Sequence, residues 1–232
     1  MKQSPADQPN ADPVALLQDG AQILGLTLPP ATLKQFLHYL EELKRWNARV
    51  NLTGLKTDRD IIIKHFLDSL AILPFLGRPP SLADLGAGAG FPGLILKLAR
   101  PEMALTLVEA RGKKAAFLNC LISLLNLTKV EVAQIHLTLS LAKNWGPRFA
   151  RVVSRATFAL PRFLELAAPL LLPGGKAMAL KGPSLPAREL EKAQQKCFQH
   201  GLSPLTVQEY RLPLTGEPRL LVLAHRLANK DS

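Results

Sequence analysis

The sequence is poor in cysteine: Cys120 and Cys197 are the only two in 232 residues, and neither belongs to a C-x-x-C pair or a Cys/His cluster. That excludes a disulfide framework and a structural zinc site, and no metal is expected. There is no apolar run near the ~20 residues that a membrane-spanning helix needs. The opening MKQSPADQPNADP is polar and Pro-rich, unlike a signal peptide. A cytoplasmic protein with no membrane partner is therefore expected. In that setting the sequon-like Asn51-Leu-Thr and Asn126-Leu-Thr carry no sugar. Acidic side chains are also scarce. Lys plus Arg number 29 against 18 Asp plus Glu, for a formal charge of +11. Such an excess favours a polyanionic partner, either nucleic acid or an anionic surface.

What is present is an ordinary globular composition, 47% hydrophobic and 20% charged, enough to bury a full core. Residues 1–12 read as a disordered tail. Leu33, Phe36, Leu37, Leu40 and Leu43 recur at helical spacing within 31–50, after Pro29-Pro30. Thr57-Asp-Arg-Asp60 resembles a capping box before a second helix over 61–73. There Ile63, Phe66, Leu67, Leu70 and Leu73 form a core stripe. His65, Asp68 and Ser69, at i, i+3 and i+4, are neighbours on another face. Residues 13–80 thus read as an N-terminal helical extension, and 81–232 as the α/β domain it precedes.

In that domain strands are expected at 81–85, 104–109, 130–135, 149–154 and 176–180, with helices at 92–100, 112–125 and 157–171 between them. This alternation implies a parallel sheet covered on both faces. A helix over 187–200 follows. Two strand-like runs, 205–213 and 219–226, then flank Thr215-Gly-Glu-Pro218 as a hairpin, so the sheet finishes antiparallel.

At the first strand end the chain reads LADLGAGAGFPGL, residues 82–94. Gly88, Gly90 and Gly93 match the G-x-G-x-x-G loop of nicotinamide enzymes. Asp84, Gly86, Gly88 and Gly90 match the D-x-G-x-G-x-G loop of S-adenosylmethionine (SAM) enzymes. Either loop would sit at the carboxyl edge of the sheet, where α/β proteins bind ligands. Glu109 ends the next strand, where a carboxylate can accept both hydroxyls of a ribose, which NAD and SAM share. Asp84, the terminal hairpin and the Pro173-Gly-Gly175 turn favour SAM. An NAD-dependent oxidoreductase and a non-catalytic basic RNA-binding or assembly factor are the alternatives.

The motifs Trp46-Asn-x-x-x-Asn51-Leu-Thr, His65-x-x-Asp68-Ser69, Asp84-Leu-Gly-Ala-Gly-Ala-Gly-Phe-Pro-Gly93, Val153-Ser-Arg-Ala156, Leu180-Lys-Gly182 and Gly216-Glu-Pro-Arg219 occur in an order and spacing that resemble one family. It is the bacterial 16S ribosomal RNA guanine-N7 methyltransferases, known as RsmG or GidB, and the resemblance spans roughly residues 35 to 226. The resemblance implies a class I SAM-dependent methyltransferase fold, Rossmann-like, with a mostly parallel seven-stranded sheet, a terminal antiparallel hairpin and an N-terminal helical extension. It implies SAM as methyl donor and N7 of guanine 527, in the 530 loop of 16S rRNA in the small ribosomal subunit, as acceptor. A monomer is expected.

By the same carry-over, Gly86 and Phe91 line the SAM site, in the loop already marked by Asp84, Gly88 and Gly90, and Glu109, Ala110 and Arg111 lie near the ribose. Leu137 and Thr138 stand where relatives commonly have a small residue and an adenine-contacting glutamate. Arg155 marks the methyl-transfer edge, and His65, Asp68, Ser69, Lys181 and Arg219 surround the acceptor.

The chemistry agrees with that acceptor. Methylation at pyrimidine carbon-5 needs a cysteine nucleophile, and neither cysteine ends a strand. Exocyclic amines usually meet an N/D-P-P-Y/F loop, where Val-Ser-Arg-Ala stands. Guanine N7 has an in-plane lone pair, no proton to lose, and so no need of a general base. Arg111, Lys113 and Lys114 make a basic first helical turn, which opposes the helix dipole.

Overall fold

A computed structural model describes residues 12–228. The expected tail lies outside that range, apart from Asp12. Asp12 accepts a hydrogen bond from the Val14 N–H (3.0 Å) and so caps α1 (Pro13–Ile23), a helix the sequence reading does not single out. The apolar stripe of α2 (Pro30–Val50) buries Leu33, Phe36, Leu40 and Leu43, with Tyr39 among them. This helix ends at Asn51, whose positive φ of 52° makes a left-handed cap.

Thr57 is the N-cap of α3 (Asp58–Ile61). Its hydroxyl accepts from the Asp60 N–H (3.0 Å) and also donates to the Asp60 carboxylate at 2.8 Å. The helix then widens to π over Ile62–Leu67 before α4 (Asp68–Leu70). Within the wide turn the Asp68 N–H bonds the Ile63 carbonyl, five residues back. A short α5 (Leu73–Leu76) leads into the sheet.

The sheet has seven strands in the order β3-β2-β1-β4-β5-β7-β6. They are β1 (Ser81–Leu85), β2 (Ala104–Val108), β3 (Val130–Ala133), β4 (Phe149–Arg155), β5 (Leu171–Lys181), β6 (Thr206–Arg211) and β7 (Pro218–His225). β1 to β5 are parallel, and β7 lies antiparallel between β5 and β6, as the expected terminal hairpin requires. The connecting helices are α6 (Gly93–Ala99), α7 (Gly112–Leu124), α8 (Leu139–Trp145), α9 (Leu160–Ala167) and α10 (Ala187–Gln199).

Two boundaries move. Pro169 lacks the N–H that a continuing helix would use, so α9 gives way to a 3₁₀ turn at Ala168–Leu170. β5 begins at Leu171 and takes in the Pro173-Gly-Gly175 segment. α8, like α1, is an addition, capped by the Thr138 hydroxyl, which accepts from the Leu141 N–H at 3.2 Å.

Successive strands leave β1 in opposite directions, so a crevice opens between the carboxyl ends of β1 and β4. On one sheet face, Leu107, Ile95 and Phe117 share a core with Leu16, Phe36, Phe66 and Leu70 of the N-terminal helices. On the other, Ala83, Val152 and Ala177 pack under Leu160, Phe163 and Ala193. Phe36 and Phe66 are fully buried, each worth roughly 2–3 kcal/mol of transfer free energy. The helices of the extension are thereby fixed over the crevice, and their polar side chains reach it.

Candidate active site

The glycine loop leaves β1 at Gly86, whose φ is +72°, and Thr157 explains why no larger residue fits. A Cβ on Gly86 would lie 2.3 Å from the Thr157 methyl group. The Thr157 hydroxyl itself donates to the Gly86 carbonyl at 2.9 Å, tying the loop after β4 to the loop after β1. Gly90 is constrained from the other side: its φ is +92°, and a Cβ would come within 2.5 Å of the Tyr39 hydroxyl. That hydroxyl donates to the Ala89 carbonyl, and the Tyr39 ring stacks on Phe91 at 5.4 Å and 3°. Helix α2 therefore moulds a loop that lies fifty residues further on.

Two carboxylates hold the loop's amides. Glu109 accepts from the Gly88 N–H at 2.9 Å and from the Arg111 N–H at 2.8 Å. Asp84 accepts from the Gly93 N–H, the first amide of α6, at 2.8 Å. The amides of Gly90 and Phe91 bond the Ala87 carbonyl, and Leu94 bonds Gly90. A dinucleotide loop presents such amides to a pyrophosphate; here they face protein oxygens, two of them on the carboxyl groups of Glu109 and Asp84. The lip therefore suits a cationic sulfonium ligand better than a phosphate ligand. The position of Glu109 beside the N-terminus of α7 also offsets the basic turn Arg111, Lys113 and Lys114.

Asp84 is fully buried, and its Oδ1 has no hydrogen-bond partner among the described residues. Burial pushes its carboxyl up to about 7, against the pull of the Gly93 N–H and of Arg155.

Beside the loop lies a cleft of about 180 Å³, floored by Gly86, Val108, Glu109 and Ala110 and closed by Ile135, Leu137 and Phe158. Its lining is largely apolar and carries the Glu109 carboxylate, an acceptor, which fits the base and the ribose hydroxyls of adenosine. Of the expected cofactor residues, Gly86, Glu109, Ala110, Arg111 and Leu137 line this cleft. Asp84, Gly88, Gly90 and Phe91 shape the loop next to it. Thr138 has its hydroxyl engaged as the cap of α8.

Arg155 ends β4 on the other side of Phe91. Its guanidinium carbon lies 5.1 Å over the Phe91 ring, a cation–π contact. Its Nη1 donates to the Lys64 carbonyl (2.9 Å) and to Asp68 Oδ2 (3.2 Å), and its Nη2 lies 2.8 Å from His65 Nδ1. A guanidinium only donates, so His65 Nδ1 accepts. The proton is then on Nε2, which donates to the Thr53 hydroxyl at 2.8 Å. Burial and the charge of Arg155 push His65 down to about 3, so the ring is neutral at physiological pH.

The Asn51-Leu-Thr motif serves this contact. The Asn47 carboxamide accepts from the amides of Leu52 (2.6 Å) and Thr53 (2.8 Å) and donates to the Thr53 carbonyl (3.0 Å). Thr53 is thereby set against His65. Ser69 is completely buried and donates to the His65 carbonyl at 2.6 Å, bracing the π turn.

The structure thus brings Arg155, His65, Asp68 and Ser69 into one knot. Lys181 sits apart from it, bonded to the Phe158 carbonyl (3.2 Å) and to Glu189 (3.1 Å). Arg219 pairs with Glu217 at 3.0 Å. Three participants escape sequence reasoning. Tyr39 looks like one more core position of α2, Thr157 like loop filler, and Tyr210 like an ordinary strand aromatic. Tyr210 donates to Asp68 Oδ1 at 2.6 Å. Only contacts across the fold reveal them.

A family model described as rRNA small subunit methyltransferase G matches residues 32–215. Ribosomal RNA small subunit methyltransferase G of Geobacter sp. (strain M21) is 38% identical over 211 residues, covering 91% of this chain and 96% of its own. The protein of the same name from Deinococcus deserti is 42% identical over 221 residues, covering 94% and 90%. Among solved structures, an O-methyltransferase from Bacillus cereus in complex with SAH superposes with a TM-score of 0.57. It is 17% identical and covers 81% of this chain and 90% of that one, a likeness of fold.

Proposed function

The chain belongs to the rRNA small subunit methyltransferase G family, a SAM-dependent rRNA methyltransferase family, and from that premise we propose that it methylates N7 of guanine 527 in 16S rRNA. The observation that carries the reading is the absence of a free base in the Arg155 knot. Among the described residues of that knot, His65 has a partner on each ring nitrogen and Asp68 one on each oxygen. An acceptor that must lose a proton would need one of them released; guanine N7 attacks with its lone pair and needs neither.

When bound, SAM supplies an electrophilic methyl group. The cleft of Gly86, Glu109, Ala110, Arg111 and Leu137 would hold its adenosine, with the loop shaped by Asp84, Gly88, Gly90 and Phe91 beside the sulfonium. The residues of this chain do the rest by placement. Arg155 keeps its Nε–H and one Nη2–H without a protein acceptor among the described residues, so it can donate to guanine O6 or a backbone phosphate. Phe91, Tyr39 and Phe66 form a dry wall beneath it. Asp68 balances the guanidinium and lies near the charge that N7 methylation places on the base. Lys181 and Arg219, on neighbouring strands and each ion-paired with a glutamate, would stand at the edge that faces RNA. We take the protein to act in the cytoplasm as a monomer.

The test is primer extension across 16S RNA after incubation with protein and SAM, using cleavage specific for 7-methylguanine. A single new stop at guanine 527 is expected. Methyl incorporation without that stop would overturn the position.

A further inference from the structure

We propose that Tyr210 is a positioning residue for methyl transfer: its phenol O–H, reaching in from the edge of the sheet, orients the Asp68 carboxylate that holds the Arg155 guanidinium. The inference rests on the reading of Arg155 as the acceptor-side residue.

Strand β6 is the outermost strand of the sheet, and five of its six residues are exposed. Tyr210 is the exception. It is half-buried against the core shared with the N-terminal helices, and its hydroxyl lies 2.6 Å from Asp68 Oδ1. Asp68 is 5% exposed, and its carboxylate bridges two donors from different strands, Tyr210 on β6 and Arg155 on β4. With the phenol gone, Oδ1 would be buried without that donor, and the carboxylate could rotate toward the remaining one. Rotation would draw the guanidinium out of its fixed plane over Phe91. Tyr210 does not line the cleft of Gly86, Glu109 and Leu137, and its hydroxyl is spent on Asp68, so we take its effect to pass through Asp68. Its register partner Arg219 turns toward Glu217 instead and does not replace it.

The experiment uses the full chain, tritiated SAM, and two acceptors in parallel, protein-free 16S RNA and isolated small subunits. Tyr210→Phe keeps the ring packing and removes the donor. It is expected to lower kcat about tenfold, with the RNA KM and the SAH affinity within twofold of wild type. Incorporation of 3-fluorotyrosine at 210, which keeps a donor of the same reach, should restore kcat to within twofold. A purely structural brace would instead change melting temperature and KM together. On an Asp68→Asn background, Tyr210→Phe should cost less than a further twofold. Should the Phe variant not fold, 4-aminophenylalanine at 210, a weaker donor of the same shape, should give an intermediate kcat. Wild-type kcat in Tyr210→Phe, or effects that multiply with Asp68→Asn, would overturn the proposal. If Arg155→Ala and Asp68→Asn themselves turn over normally, the acceptor-side reading falls, and this inference with it. Slow Arg155→Ala and Asp68→Asn beside a fast Tyr210→Phe would overturn the role of Tyr210 alone.

Discussion

The glycine loop and the Arg155 knot share the Phe91 ring, yet they are built by opposite means. The loop is made of backbone: its shape comes from Gly86 and Gly90 at positive φ and from amides bonded to Glu109 and Asp84. The knot is made of side chains from four separate parts of the chain, around residues 53, 65, 155 and 210. Backbone shape serves a ligand whose form does not change between turnovers. A knot of paired side chains would suit a mobile RNA base, because it presents donors held in fixed directions. The difference implies that donor binding and acceptor placement can be separated by mutation.

Arg155→Ala tests that separation most severely. It removes the donors proposed to meet the acceptor and leaves the lining of the proposed adenosine cleft in place. Methylation should fall by ~100-fold or more, while SAH affinity measured by calorimetry stays within threefold. Near-normal turnover would mean that Arg155 only braces the knot. An equal loss of SAH binding would mean that the two regions are one.

Gly90→Ala should do the reverse, with a smaller effect. The new methyl would meet the Tyr39 hydroxyl at 2.5 Å and Leu94 at 2.6 Å, at a φ of +92°. The Tyr39 ring is fully buried and stacked on Phe91, so it has little room to move. Strain of ~2 kcal/mol should weaken SAH binding about tenfold and lower the melting temperature by ~5 °C. A variant that binds SAH as well as wild type would show that the loop yields, and that its shape is less fixed than the contacts suggest.

The same contrast explains what the sequence makes legible. The loop could be read because glycine is the residue that positive φ and close approach demand, and Asp84 and Glu109 stand at strand ends where spacing alone puts them. The parallel sheet and its closing hairpin follow from alternation and one turn. The helix over 13–23 and the short α8 lack a long apolar stripe; each is capped, by Asp12 and Thr138, and so depends on a single side chain. In the knot, His65, Asp68 and Ser69 are visible as neighbours on a helix. The π turn that re-aims them is not, and neither is the partner of each. Thr53 and Tyr210 reach their partners through folds of the chain that no local pattern encodes.

The smallest expected effect compares the two regions through their protons. Asp84 belongs to the loop, and its carboxyl is raised from the usual 3.8 to about 7 by burial. The folded chain holds that proton more tightly than the unfolded one. Its contribution to stability is therefore complete below about pH 4 and is lost as pH rises through 7. His65 belongs to the knot, and its ring is lowered from the usual 6.5 to about 3. There the unfolded chain takes the proton first, so the contribution is complete above about pH 6.5 and is lost as pH falls toward 3. Between about pH 4 and 6.5 the two slopes oppose each other, and the wild-type melting temperature should change little on their account. Asp84→Asn keeps an acceptor for the Gly93 N–H but removes the charge, so melting temperature should rise with pH across that window. His65→Gln should make it fall with pH across the same window. Differences of about 5 °C between the two variants at the ends of the window are expected. Parallel melting curves against pH would mean that these groups ionise alike in both states, and that burial at one of the two regions is less complete than the packing around Phe91 implies.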